Sequence, residues 1–126
     1  MIAVDTSSLV EFLKGNKGED INLLEKAIEE KNLILPPIVL SEILSDPKLS
    51  IVIKKTLQSI PSLSLIEGFW IRAGYLRAQV LNNKRKARLG DALICQFCID
   101  HDLPLITRDN DFKSFQINKK FKVIIC

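Results

Sequence analysis

Residues 90–112 read GDALICQFCIDHDLPLITRDNDF, and the order of signals in this stretch sets the fold class. Gly90 and Asp91 open a helix, because an acid is favoured where the helix dipole is positive. Ala92, Leu93, Cys95 and Phe97 are its apolar content. His101 to Pro104 form a turn, Leu105-Ile106-Thr107 a short strand, and Arg108 to Phe112 a loop.

The same alternation runs outward through the chain. Ile2-Ala3-Val4 is a short apolar strand that ends at Asp5 and opens into a helix. Thr6, Ser7 and Ser8 offer N-cap oxygens there. Gly15 and Gly18 stop that helix. Ile21, Leu24, Ala27 and Ile28 then recur at helical spacing between Asp20 and Lys31. Leu33 to Leu35 form a second strand, and Pro36 and Pro37 start the helix that carries Glu42. A helix over 48–59 follows, then a third strand candidate in SLSLIE from Ser62, and a long helix over 69–83. KVIIC at 122–126 is the last strand candidate. Short strands between longer helices predict an α/β fold with a mainly parallel sheet of about five strands.

The chain has 126 residues, suited to one domain over 1–126, with 47% apolar and 26% charged residues. That balance builds a real core and argues against disorder. The net charge of +3 permits nucleic-acid binding without demanding it. Three cysteines, Cys95, Cys98 and Cys126, are too few and too odd in number for a disulfide framework. A reducing cytoplasm is expected. No basic, apolar leader opens the chain, and no apolar run approaches the ~20 residues that span a bilayer.

In parallel α/β sheets ligands gather at the carboxyl ends of the strands. Asp5 closes the first strand, Asp109 lies just past Thr107, and Asp91 opens a helix. Glu42 sits in the apolar segment VLSEIL, where neighbouring Leu40, Ile43 and Leu44 prefer the interior. Several carboxylates together raise each other's pKa, and a divalent cation removes that penalty. Hard ions such as Mg²⁺ and Mn²⁺ take oxygen ligands. An all-carboxylate site therefore points to phosphoryl-transfer chemistry rather than zinc chemistry.

Three segments now carry a resemblance: MIAVDTSSLVEFL, LSEIL and GDALICQFCIDHDLPLITRDNDF. Together they span nearly the whole chain, and it resembles the PIN-domain family, in particular the VapC-type toxins of toxin–antitoxin pairs. The resemblance implies a three-layer α/β/α sandwich. It also implies that Asp5, Glu42, Asp91 and Asp109 bind Mg²⁺ or Mn²⁺, with Thr6 and Thr107 in support and Asp111 as an outer acid. The implied activity is an endoribonuclease that leaves a 5′-phosphate and a 3′-hydroxyl. The implied partners are RNA, a small inhibitory antitoxin and a second copy of the chain.

Other readings of the same residues stand beside this one. Asp5 and Asp91 suit helix starts, Glu42 suits a helix glutamate reaching solvent, and Asp109 and Asp111 suit Asx-turns. Lys84, Arg85, Lys86 and Arg88 read as a solvated helix end or as a phosphate-contacting patch beside Asp91. Asp100 and Asp102 beside His101 read as a solvated turn. Cys95 and Cys98 read as core residues, and Trp70 and Tyr75 as buried or partner-packed aromatics rather than base-stacking ones. A PIN module that binds RNA or protein without cutting is the main alternative function. A phosphotransfer receiver domain is disfavoured, because MIAVD holds no acid pair.

Overall fold

The computed structural model describes residues 1–125; Cys126 lies outside the described residues. In chain order the elements are β1 (Ile2–Val4), α1 (Thr6–Leu13), α2 (Glu19–Glu29), β2 (Leu33–Ile34), α3 (Pro37–Leu44), α4 (Ile51–Ser59), α5 (Phe69–Asn82), α6 (Leu89–Asp100), β3 (Leu105–Thr107), a 3-10 helix (Asn110–Ile117) and β4 (Val123–Ile125). The strands form one parallel sheet in the order β2-β1-β3-β4.

Consecutive side chains of a strand point to opposite faces of its sheet. Ala3 and Val4 of β1 are both fully buried, as are Leu105, Ile106 and Thr107 of β3. Both faces of the central pair are therefore covered, as expected for parallel strands flanked by helices. Leu24, Leu57, Leu76, Val80, Phe97 and Phe115 join these strands in one apolar cluster. Among the described residues no helix is long and apolar enough to cross a membrane.

The order of strands positions the site. From β1 the chain goes to β2 on one side, while β3 and β4 lie on the other. Such a reversal opens a crevice at the carboxyl ends of the two central strands. Asp5 follows β1, and its amide donates to Ile106 O at 3.1 Å, so it stays tied to β3.

Two expectations need correction. The segment from Ser62 forms no strand, and the sheet has four strands among the described residues. Leu63 and Leu65 do pack on the core, which explains the alternation in the sequence. The backbone of this segment is engaged elsewhere. Pro61 O accepts from Leu35 N at 3.1 Å, Ser64 O pairs with His101 Nε2 at 3.0 Å, and Glu67 O accepts from Arg72 Nη1 at 2.6 Å. The stretch after Asp109 is likewise no plain loop but a 3-10 helix that buries Phe112 and Phe115.

Candidate active site

Asp5 is the N-cap of α1 itself, in place of the hydroxyl residues after it. Its carboxylate is buried, at 2% exposure. Oδ1 accepts from Ser8 N at 3.1 Å and Oδ2 from Thr107 Oγ1 at 2.6 Å. Ser7 Oγ lies 3.0 and 2.9 Å from the two oxygens. All these donors are neutral. Burial raises the Asp5 pKa, the hydrogen bonds oppose the rise, and the charge of Asp109 adds to it.

Asp91 lies in the first turn of α6, whose N-cap is Arg88. Asp91 is thus inside the helix, not its cap. Its pKa is pushed up to about 6, first by burial, then by Asp109. Arg88 opposes the rise, while Asp5 and Glu42 add to it. Asp91 therefore feels the charge of all three other acids.

Asp109 is held from both sides. Its amide donates to Thr107 Oγ1 at 2.9 Å, and its Oδ1 accepts from Asp111 N at 2.9 Å, an Asx-turn that starts the 3-10 helix. Glu42 reaches solvent despite its apolar sequence neighbours. Helix α3 buries Val39 and Ile43 and leaves Ser41 and Glu42 exposed. Thr6 Oγ1 donates to Glu42 Oε1 at 2.9 Å, which joins the start of α1 to α3.

The ion pairs separate the buried and half-buried acids into two kinds. Asp111 pairs with Lys86 at 3.1 Å and Arg88 at 3.7 Å. Asp100 pairs with Arg72 at 2.5 Å and accepts from Gln96 at 2.9 Å. Asp20 is forked by Arg108. By contrast, Asp5, Asp91, Asp109 and the exposed Glu42 make no ion pair among the described residues.

A donor set of carboxylate and hydroxyl oxygens fits a hard divalent cation. The side chains are not drawn into a ready shell: among the described residues no three His, Cys, Asp or Glu residues converge closely enough to hold a metal. The fit therefore lies in the donor chemistry and in the shared electrostatics of the four acids.

Other expected features resolve as follows. Lys84 to Arg88 join α5 to α6 as a turn and an extended link, not a helix end. Lys86 and Arg88 reach Asp111, while Lys84 and Arg85 make no ion pair among the described residues. Asp100 belongs to no solvated turn, since its side chain is 8% exposed and forked by Arg72. Asp102 is exposed and meets Lys122 at 3.3 Å. Cys95 and Cys98 are buried free thiols, and desolvation raises both pKa values strongly, so neither is poised as a thiolate. Trp70 and Tyr75 are exposed, which excludes burial within this chain.

The sequence reading assigns Asp20 and Arg108 no role, and Ser8 only that of an N-cap candidate. A usable signal existed. Asp20 precedes Leu24 by four residues and Ala27 by seven, which places it on the buried stripe of α2. A charge on a buried stripe needs a partner.

A model of the PIN domain matches residues 2–118. No curated protein sequence matches the chain. Among solved structures, the chain is similar to FitAB bound to a DNA fragment, with a TM-score of 0.77 and 17% identity over 99% of this chain and 94% of that one. It is also similar to FitAcB from Neisseria gonorrhoeae, with a TM-score of 0.74 and 20% identity over 98% of this chain and 96% of that one. A third is the VapBC-5 toxin–antitoxin member from Mycobacterium tuberculosis, with a TM-score of 0.69 and 20% identity over 99% of this chain and 98% of that one. At such identities the structures speak for the fold, and the family model spans nearly all of the sequence: this chain belongs to the PIN-domain family.

Proposed function

We propose that this protein is a divalent-metal-dependent endoribonuclease of the VapC type, the toxin of a toxin–antitoxin pair. One observation carries the reading. Among the buried and half-buried acids, Asp5, Asp91 and Asp109 make no ion pair, whereas Glu11, Asp20, Asp100 and Asp111 are paired within the fold; the unpaired three lie just past β1 and β3 and in the first turn of α6, with exposed Glu42 on α3. Acids left unpaired against their own mutual repulsion suit a site that an external cation completes.

On this reading Asp5, Asp91 and Asp109 hold Mg²⁺ or Mn²⁺. When bound, such an ion neutralises phosphodiester charge and lowers the pKa of a coordinated water. Glu42, exposed and anchored by Thr6, is placed to bind metal or orient the attacking water. Thr107 holds Asp5 and Asp109 in a fixed relation. Lys84, Arg85, Lys86 and Arg88 contact RNA phosphates beside Asp91, which gives affinity and position rather than sequence choice.

The partners follow from the same surfaces. A cleft of about 250 Å³ is lined by Thr6, Val10, Glu42, Ile43, Leu49 and Ile53. Apolar walls beside a carboxylate suit an inserted antitoxin segment. The solved VapBC-5 neighbour is by name a member of a toxin–antitoxin family, which supports such a partner here. Trp70, Ile71 and Tyr75 on α5 are each more than half exposed and offer a face for a second copy.

The test is cleavage of a mixed structured RNA with Mg²⁺ or Mn²⁺, with EDTA and an Asp5→Asn protein in parallel. Metal-dependent cutting that vanishes in the variant is expected. Equal cutting by both proteins would sink the assignment of Asp5. RNA or partner binding with no metal uptake would favour a PIN module that does not cut.

A further inference from the structure

Arg108 stands between Thr107 and Asp109, yet its guanidinium pairs with none of Asp5, Glu42, Asp91 and Asp109. It forks onto Asp20, with Nε 2.7 Å from Oδ2 and Nη2 2.9 Å from Oδ1. Asp20 is 3% exposed and also accepts from Ser8 Oγ at 2.8 Å. The amide of Ser8 donates to Asp5 Oδ1, and the hydroxyl of Thr107 donates to Asp5 Oδ2. These links close on themselves, running from Asp5 through Thr107, Arg108, Asp20 and Ser8 back to Asp5.

Local geometry protects this ring. A Cβ at Gly18 would lie 2.6 Å from Asp20 Oδ1 and 3.2 Å from Arg108 Nη2, so any side chain there would press on the fork. A guanidinium fork fixes both the distance and the plane of its carboxylate, which an ammonium does not. The donors that orient Asp5 come from different segments, Ser7 and Ser8 in the first turn of α1 and Thr107 at the end of β3. The fork ties the exit of β3 to α2, and Ser8 ties α2 to α1. Without it those donors are joined only through the β1–β3 pairing, and no side-chain link runs through α2.

We propose that Arg108 and Asp20 are positioning residues that, through Ser8 and Thr107, hold the Asp5 carboxylate in one orientation for a metal ion. This rests on the metal-site reading above. The ring tunes the site from outside, as a hydrogen-bonded outer shell orients ligands in metal proteins.

The experiment is calorimetric titration of Mn²⁺ into the intact chain, alongside thermal unfolding of each metal-free protein. The proteins are the wild type, Arg108→Gln, Arg108→Lys, Ser8→Ala and Arg72→Gln. The last breaks a comparable forked pair at Asp100, at the other end of α6. Asp91 and Asp100 are about 13 Å apart along that helix, at 1.5 Å per residue. Arg108→Gln is expected to weaken Mn²⁺ binding about tenfold, Ser8→Ala severalfold, and Arg108→Lys by an intermediate amount. Arg72→Gln should lower Tm yet leave Mn²⁺ affinity within about twofold of the wild type. Wild-type Mn²⁺ affinity in both Arg108→Gln and Ser8→Ala would overturn the proposal, as would an equal loss in Arg72→Gln. Should Arg108→Gln fail to fold, Ser8→Ala against Arg72→Gln decides in the same way. Absence of Mn²⁺ binding by the wild type would instead overturn the metal-site reading, and the positioning role with it.

Discussion

The hydroxyl of Thr107 donates to Asp5 Oδ2 at 2.6 Å and accepts from the Asp109 amide at 2.9 Å, so one oxygen joins two acids from distant parts of the chain. Thr107→Val keeps the shape but removes both bonds. It leaves a buried carboxylate short of a donor and an amide without its acceptor. A loss of about 1–3 kcal/mol is expected, read as a lower urea midpoint at unchanged slope. Thr107→Ser should recover most of it. A valine variant as stable as the wild type would show that this bond contributes nothing to the fold.

Asp91 predicts an alkaline-side weakness of the metal-free protein. Its folded pKa, about 6, lies above its ordinary 3.8. A group shifted in this direction binds its proton more tightly when folded. The stability it lends is full below 3.8 and is lost as pH rises through about 6. Asp91→Asn removes the penalty. In EDTA the variant should be more stable than the wild type at pH 7.5, by up to about 3 kcal/mol from the size of the shift. The gap should close by pH 4. Thermal unfolding at several pH values checks this, and a variant less stable at pH 7.5 would contradict it.

Metal should reverse that pattern in the wild type. A ligand bound only by the folded state at 100 times its Kd adds about 2.7 kcal/mol. Mn²⁺ should therefore raise Tm by several degrees at pH 7.5. At pH 4.5 the effect should shrink, because Asp91, pushed up to about 6, holds a proton that competes with the ion, and the upward shift of Asp5 acts in the same direction. Asp5→Asn should abolish the rise. An equal rise in the variant would place the ion elsewhere.

Asp20 predicts the opposite pH dependence. Arg108 holds its carboxyl below the ordinary range, chiefly by hydrogen bonding and against the effect of burial. Stability from a lowered acid is present above 3.8 and lost as pH falls through the depressed folded value. Asp20→Asn should therefore be less stable than the wild type at pH 7, with the difference narrowing as pH falls below about 4. Denaturant titrations at pH 7, 4 and 2.5 measure it. A constant difference would show that the pair contributes only through packing.

The basic link before α6 predicts a salt effect. Lys86 and Arg88 rest on Asp111 in the free protein, and phosphates can replace that carboxylate. In an Asp5→Asn background, where RNA stays intact, each lost phosphate contact should lower the salt slope of single-strand binding by about 0.7. Lys86→Ala with Arg88→Ala should thus flatten the slope by more than one unit. An unchanged slope would place the RNA path elsewhere.

The sequence by itself determined the alternation of elements, because period, proline placement and strand-ending acids are local properties. Asp5 and Thr107 were legible as strand-end residues, since each closes an apolar run. Tertiary structure decided what no local pattern encodes. It gave the backbone carbonyls of the segment after Pro61 to His101 and Arg72 rather than to a neighbouring strand. It turned Glu42 outward to Thr6, a matter of where α3 meets α1. It also separated paired acids from unpaired ones. Asp20 and Arg108 lie 88 residues apart, and no spacing rule joins them. Only the return of β3 beside β1 brings a guanidinium to the carboxylate that the buried stripe of α2 could not otherwise tolerate, because a charge stays buried only where the fold supplies its counter-charge.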